Sequence, residues 1–130
     1  MSISIVRLGS PRRPEEGLRL GTVRRPPRGV PRAEFATQDW YDVWFPNLAP
    51  SPDTVKRGLA AKTPAAWASF AKRYRAEMKK GPAQHDLALL AALSKSADFS
   101  MGCYCAEESR CHRSVLRQLL LEAGAEVLPG

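Results

Sequence analysis

No stretch of this 130-residue chain has the roughly 18 consecutive apolar residues that a membrane-spanning helix needs. The first residues, Met1 to Arg7, also lack the apolar segment of a secretory signal. Cysteine is scarce, with three residues in the chain. We therefore expect a cytoplasmic protein with no membrane partner, whose three thiols are reduced and need no disulfide.

Common catalytic signatures are also missing. The chain contains no glycine-rich dinucleotide loop, no Walker phosphate loop and no His-Glu-x-x-His motif. The composition is that of an ordinary globular protein, with 44% hydrophobic and 25% charged residues. At this length we expect one domain over residues 1–130, and composition alone indicates no reaction.

Lysine is absent before Lys56, although the net charge of the chain is +7. Residues 1–32 contain eight arginines, five prolines and only two acidic residues. Arginine binds phosphate and carboxylate groups through a planar fork, so this Arg/Pro-rich part predicts a surface for a phosphorylated small molecule or a nucleic acid. Residues 1–34 contain no aromatic side chain to stack on bases, which weakens the single-stranded nucleic-acid interpretation. The alternative is a solvated basic loop.

Short β-branched or aromatic segments alternate with segments of helical periodicity. The pattern predicts strands over residues 3–8, 18–23, 40–45 and 98–105, helices over 52–60, 64–80, 84–94 and 111–123, and an edge strand over 126–128. Ser51-Pro52 and Thr63-Pro64 are typical helix starts, and Gly81-Pro82 is expected to end the second helix. These elements predict an α/β fold, a small and mostly parallel sheet flanked by helices.

All three cysteines lie in one motif, Cys103-Tyr-Cys105-Ala-Glu-Glu-Ser-Arg-Cys111-His112-Arg113. The motif lies in a predicted strand-loop-helix unit, residues 99–123. Ligands of parallel sheets bind beyond the carboxyl ends of strands, and helix amino ends attract anions. We therefore expect Cys111, beside Arg113 and a protonated His112, to have a lowered pKa.

Three interpretations of the motif remain open. In the first, Cys105 or Cys111 is a nucleophile, His112 accepts a proton and Arg113 holds an anionic substrate. In the second, a metal such as zinc binds to a four-ligand set, Cys103, Cys105, Cys111 and His112, although Cys-x-Cys is not the usual zinc spacing. In the third, Cys103 and Cys105 fill a strand face, His112 and Arg113 bond to nearby backbone, and no chemistry follows.

Four blocks of sequence together resemble the domain-of-unknown-function 488 family. They are Arg24–Arg32, Trp44–Ser51, the row Trp67, Phe70, Tyr74, Glu77 and Met78, and Gly102–Cys105 with Cys111–Arg113. The resemblance implies a single α/β domain of a bacterium or archaeon. It implies no particular activity, substrate or cofactor.

If the strands are parallel, the loops that follow them meet at one edge of the sheet. We then expect a cationic pocket at the strand carboxyl ends, formed by the cysteine motif and by Arg7, Arg24, Arg25, Arg28, Trp44 and Asn47. The sequence therefore favours an anion-binding module. A thiol-dependent enzyme and a metal-stabilised interaction domain are the alternatives.

Overall fold

A parallel sheet of four strands organises the structure, a computed structural model that describes residues 1–129. The strands are β1 (Ile3–Arg7), β2 (Leu18–Gly21), β3 (Val43–Trp44) and β4 (Phe99–Cys103). They lie in the order β1-β4-β2-β3, and each neighbouring pair is parallel. All four strands therefore end at one edge, and the α/β class is confirmed.

Four α-helices accompany the sheet. They are α1 (Pro52–Ala60), α2 (Pro64–Met78), α3 (Gly81–Leu93) and α4 (His112–Glu122). The starts of α1 and α2 are as predicted, because Ser51 accepts a hydrogen bond from the Thr54 amide and Thr63 accepts one from the Ala66 amide. None of the helices within residues 1–129 is long and apolar enough to cross a membrane.

The strand predicted over residues 40–45 is reduced to Val43–Trp44. The residues before it belong to a loop in which Asp39 adopts a positive φ of 62°. This loop covers part of the sheet instead of extending it. The predicted edge strand is reduced to a single parallel bridge between Val127 and Ile3.

Gly81 and Pro82 begin α3 instead of ending α2. Proline is well tolerated in the first helical turn, where its missing amide hydrogen has no partner in any case. The strand predicted over residues 98–105 is shorter than expected. β4 ends at Cys103, so Cys105 belongs to the following loop.

One face of the sheet is apolar and is covered by helices. Ile3, Leu20, Phe99 and Met101 are buried there. They form one hydrophobic cluster with residues of three helices, Tyr74 and Met78 of α2, Leu87 and Leu90 of α3, and Leu116 and Leu120 of α4. The aromatic row of α2 therefore contributes Tyr74 and Met78 to this core.

The opposite face of the sheet is polar and also buried. Because side chains alternate along a strand, Ser4, Ser100 and Arg19 lie side by side across β1, β4 and β2. Arg19 is fully buried and donates to both carboxylate oxygens of Glu16, at 2.7 and 3.1 Å. Burial alone would raise the pKa of Glu16, but hydrogen bonds from Arg19 and Ser100 lower it. The carboxylate is therefore ionised at neutral pH.

We expect Glu16→Gln to lower the free energy of unfolding by about 3 kcal/mol, because the substitution leaves the Arg19 guanidinium buried without an ionic partner. Urea unfolding at neutral pH measures this change. Glu15→Gln is the matched control, since the Glu15 side chain is 63% exposed and its loss should cost less than ~0.5 kcal/mol. Equal unfolding midpoints for the two variants would show that the buried pair does not stabilise this face.

Candidate functional site

The cysteine motif connects the buried end of β4 to the start of α4. Cys103 is the last residue of the strand, and Cys111 is the residue before the first turn of the helix. Cys103 and Cys111 are 8% and 3% exposed, whereas Cys105 in the intervening loop is half-buried. Cys105 is therefore the most accessible of the three thiols.

The three sulfur atoms form one cluster although only Cys103 is in a strand. The Sγ atoms of Cys103 and Cys105 are 3.8 Å apart. The Sγ atom of Cys111 lies 3.7 Å from Nδ1 of His112. All three cysteines are free thiols. The loop thus brings together the three thiols and the imidazole that the sequence singled out.

Only one sulfur in this cluster favours the charged form. Hydrogen bonds from Cys103 and Cys111 lower the pKa of Cys105, assisted by the positive charge of Arg113. The pKa of Cys103 is raised instead, because Cys103 donates its hydrogen bond to Cys105 and is buried. A thiolate at Cys105 is therefore stabilised by two neutral thiols and one guanidinium.

The prediction of a lowered pKa at Cys111 is wrong. A hydrogen bond from Cys103 lowers the Cys111 pKa, but the bond to Cys105 and burial raise it by more. Because the Cys105 thiolate already holds a negative charge nearby, a second charge at Cys111 is unfavourable. The position at the start of α4 therefore does not make Cys111 the activated thiol.

His112 is buried and oriented by β2. Its Nε2 atom lies 2.8 Å from the carbonyl oxygen of Thr22, a geometry in which Nε2 carries the hydrogen and donates it. The Nδ1 lone pair then faces Cys111. Burial lowers the pKa of His112 to about 4, so the expectation of a protonated imidazole is wrong. Thr22, which directly follows β2, had no motif to mark it in the sequence.

Arg113 is 4% exposed, and its guanidinium lies behind the cysteine loop. One terminal nitrogen donates to the carbonyl oxygen of Cys105 at 2.6 Å. Its Nε atom is buried and has no hydrogen-bond partner in the described residues. A buried, unpaired donor is costly in a folded protein, which marks this nitrogen as a candidate position for an acceptor.

Aromatic side chains surround the sulfur cluster. Tyr41 and Val23 share a buried cluster with Cys103 and Cys111. Tyr41 lies directly on Gly21, where any added Cβ would collide with its ring. The Tyr41 hydroxyl is buried and, like Nε of Arg113, has no hydrogen-bond partner among residues 1–129. Two unsatisfied polar groups therefore flank the thiols.

Three of the predicted anion-binding residues hold the loops at the sheet edge together. Arg24 donates to the carbonyl oxygens of Pro50 and Ala49, both at 3.0 Å. The indole nitrogen of Trp44 donates to the Val23 carbonyl, at 2.8 Å. The amide of Asn47 donates to the carboxylate of Asp86 in α3, at 3.0 Å. Arg24 and Trp44 therefore link the segment after β2 to β3 and the loop that follows it, and Asn47 links that loop to α3.

Arg7, Arg25 and Arg28, the other three, are exposed. The backbone of Arg25 adjoins the cysteine loop, since its carbonyl oxygen accepts a hydrogen bond from the Tyr104 hydroxyl at 2.9 Å. The loops after β2 and β4 are therefore neighbours, as the parallel strands predicted. Anion binding by these arginines stays a prediction.

A groove of about 510 Å³ lies against the outer side of the cysteine loop. Ser109 and Arg110 form one wall, and Lys62 and Trp67 form the other, at the junction of α1 and α2. Trp67 begins a row of four rings in which each packs on the next, Trp67, Phe70, Tyr74 and His112. The groove and the sulfur cluster therefore share the cysteine loop, which contributes Ser109 and Arg110 to the groove and Cys105 to the cluster.

The metal interpretation is supported in part by the geometry. Ligand atoms of Cys103, Cys111 and His112 lie within 4.8 Å of one another. Sulfurs that share a tetrahedral zinc ion are about 3.8 Å apart, so the dimensions are compatible with zinc. Cys105 does not belong to this set, and the predicted four-ligand site is reduced to three.

Comparison with known proteins agrees with the resemblance seen in the sequence. A family model described as the active DUF488-N3 subclade matches residues 3–124, which span both the fold and the cysteine motif. No curated protein and no solved structure matches the chain. The chain belongs to the DUF488 family.

Proposed function

We propose that the protein is a thiol-dependent enzyme that acts on a small anionic substrate, with Cys105 as the nucleophile. One observation supports this proposal above all. Cys105 is the accessible sulfur of three, and the two buried thiols and Arg113 all stabilise its thiolate. A thiolate, and not a thiol, is the attacking species in cysteine catalysis.

The negative charge of the substrate is held by Arg113. Its Nε atom is buried, unpaired within residues 1–129 and next to the backbone of Cys105. A phosphate or carboxylate oxygen bound there satisfies the donor and brings the anion beside the nucleophile. Arg113 thus keeps the role that the motif suggested, and the exposed guanidiniums of Arg25 and Arg28 attract the anion from solution.

The groove beside Arg110 accommodates the remainder of the substrate. Its size of about 510 Å³ suits a small molecule. Lys62 and Arg110 form no ion pair in the described part of the chain, and both extend the positive potential. A phosphorylated small molecule fits this groove better than a nucleic acid. We infer a cytoplasmic setting, because a reactive thiolate needs a reducing compartment.

His112 acts on Cys111 and not on the nucleophile. Since the Cys105 thiolate forms without a base, no proton has to be removed from it before attack. The neutral Nδ1 atom faces Cys111, 3.7 Å from its Sγ atom. His112 is therefore a positioning residue, and it keeps Cys111 directed towards the cluster.

We expect Cys105 to react with iodoacetamide with an apparent pKa below 7, because the thiolate is stabilised by the cluster. Mass spectrometry of peptides alkylated between pH 5 and 9 measures this value. Cys105→Ser should abolish the reaction at pH 6, whereas Cys111→Ser retains a hydroxyl donor and should preserve it. Titration of every thiol near the ordinary value of ~8.5 would contradict the assignment.

The same labelling experiment separates the enzyme from the metal interpretation. Elemental analysis of the purified protein is made first, and zinc is then added in one-equivalent steps. Tight binding of one zinc ion that is lost in Cys111→Ser would favour the metal site formed by Cys103, Cys111 and His112. A thiol enzyme is indicated if Cys105 reacts equally well in the presence and absence of chelator.

We expect inorganic phosphate to protect Cys105 from alkylation, and Arg113→Met to weaken this protection at least ~10-fold. The substitution removes the buried donor and should also raise the apparent pKa of Cys105, since the Arg113 charge lowers it. Arg57→Met is the control, because Arg57 is 57% exposed on α1. Equal protection of the two variants would remove Arg113 from the anion site.

We expect the His112 ring to stay neutral, with its hydrogen on Nε2, at every pH above about 5.5, because burial lowers its pKa to about 4. Nitrogen-15 NMR of the imidazole detects both the charge and the tautomer. His85→Gln identifies the signal, since the chain has two histidines. A His112 signal that titrates between pH 6 and 7 would show that the ring is not buried as described.

A further inference from the structure

The shortest contact between two thiols in the cluster joins the accessible cysteine to a buried one. Cys103 Sγ and Cys105 Sγ are 3.8 Å apart. A disulfide bond is about 2.05 Å long, so the two atoms need to approach by less than ~2 Å. Cys103 is fixed in the sheet by its pairing with Arg7, whereas Cys105 lies in the loop beyond the last strand residue. The movement is therefore one of the loop alone.

We propose that Cys103 and Cys105 form an oxidation site for hydroperoxides, in which Cys105 reacts with the peroxide and Cys103 is the resolving thiol. This proposal depends on the proposed function, because it uses the same nucleophilic sulfur. It adds a second substrate class, a hydroperoxide, and assigns a chemical role to the buried Cys103.

The reaction proceeds in two steps. The Cys105 thiolate attacks the distal oxygen of the peroxide, the O–O bond breaks, and Cys105 becomes a sulfenic acid while the alkoxide or hydroxide takes up a proton. The Cys103 sulfur then attacks the sulfenic sulfur, forming the disulfide and releasing water, which takes up the Cys103 proton. Two equivalents of a small thiol such as glutathione reduce the disulfide and are themselves oxidised to their disulfide.

The surroundings favour Cys103 over Cys111 as the resolving thiol. Cys111 faces the His112 ring, with its Sγ atom 3.7 Å from Nδ1. Cys103 faces Cys105, with the two Sγ atoms 3.8 Å apart, and it does not contact the imidazole through a hydrogen bond in the described chain. The aromatic pair Trp40 and Tyr104, with ring centroids 5.9 Å apart, also packs against this cluster. A small peroxide is therefore a better oxidant for this site than a bulky protein disulfide.

The disulfide has two consequences for the enzyme. It removes the nucleophile reversibly, because Cys105 cannot attack a substrate while it is bonded to Cys103. It also protects Cys105 from further oxidation to a sulfinic acid, which small thiols do not reverse. The resolving thiol thus preserves a thiolate that would otherwise be lost irreversibly.

The experiment treats the full-length reduced protein with hydrogen peroxide and follows its intact mass. The wild type should lose two hydrogen atoms and recover them with glutathione, and peptide mapping should place the bond between Cys103 and Cys105. Cys103→Ser should instead gain two oxygen atoms at Cys105 and not recover. Cys111→Ser should still lose two hydrogen atoms and recover them with glutathione, because the proposed bond does not include Cys111.

Two results would overturn the proposal. One is a disulfide that persists in Cys103→Ser and disappears in Cys111→Ser, which would make Cys111 the resolving thiol. The other is irreversible gain of oxygen by the wild type. Alkylation of each variant at pH 6 before oxidation tests the proposed function separately. If Cys105 alkylates normally but forms no disulfide, only the resolving role of Cys103 fails.

Discussion

A cluster of three close sulfur atoms can hold one negative charge but not two. The first thiolate is stabilised by hydrogen bonds from its neighbours, and it then raises the cost of ionising them. The charge settles on Cys105 because this sulfur is nearest to solvent and receives support from Arg113. Cys103 and Cys111 are thereby kept neutral. The division between one nucleophile and two hydrogen-bond donors follows from this single constraint.

The fold brings the three sulfur atoms close together at the carboxyl end of β4. The insertion of β4 between β1 and β2 places the cysteine loop next to the loops that follow both neighbours. Thr22, at the end of β2, accepts the hydrogen bond that orients His112. On the polar face of the sheet, the buried ion pair between Arg19 and Glu16 fixes the position of β2. The site is therefore formed by residues that are distant in sequence and adjacent only in the parallel sheet.

Local signals allowed much of the fold to be predicted. The caps Ser51 and Thr63 depend on hydrogen bonds to amides three residues away, so the helix starts were visible in the sequence. The strand order and the brevity of β3 depend on distant pairing and were not. Arg19 belongs to a run of arginines that suggested a surface, yet it is fully buried because Glu16 and two loop carbonyls satisfy its guanidinium. Charge composition could not separate this arginine from the exposed Arg25 and Arg28.

The candidate site shows the same division between local and distant effects. The motif identified Cys103, Cys105, Cys111, His112 and Arg113 by their spacing. It could not assign their charges, since these depend on burial and on mutual hydrogen bonds. A protonated imidazole and an activated Cys111 were reasonable expectations for a solvated helix start. Once the start of α4 is buried against β2, the imidazole becomes neutral and the charge moves to the loop. The chemistry proposed for this motif therefore depends on the depth at which the sheet places each residue, and Cys105 is the proposed nucleophile because it lies at the boundary between the protein interior and solvent.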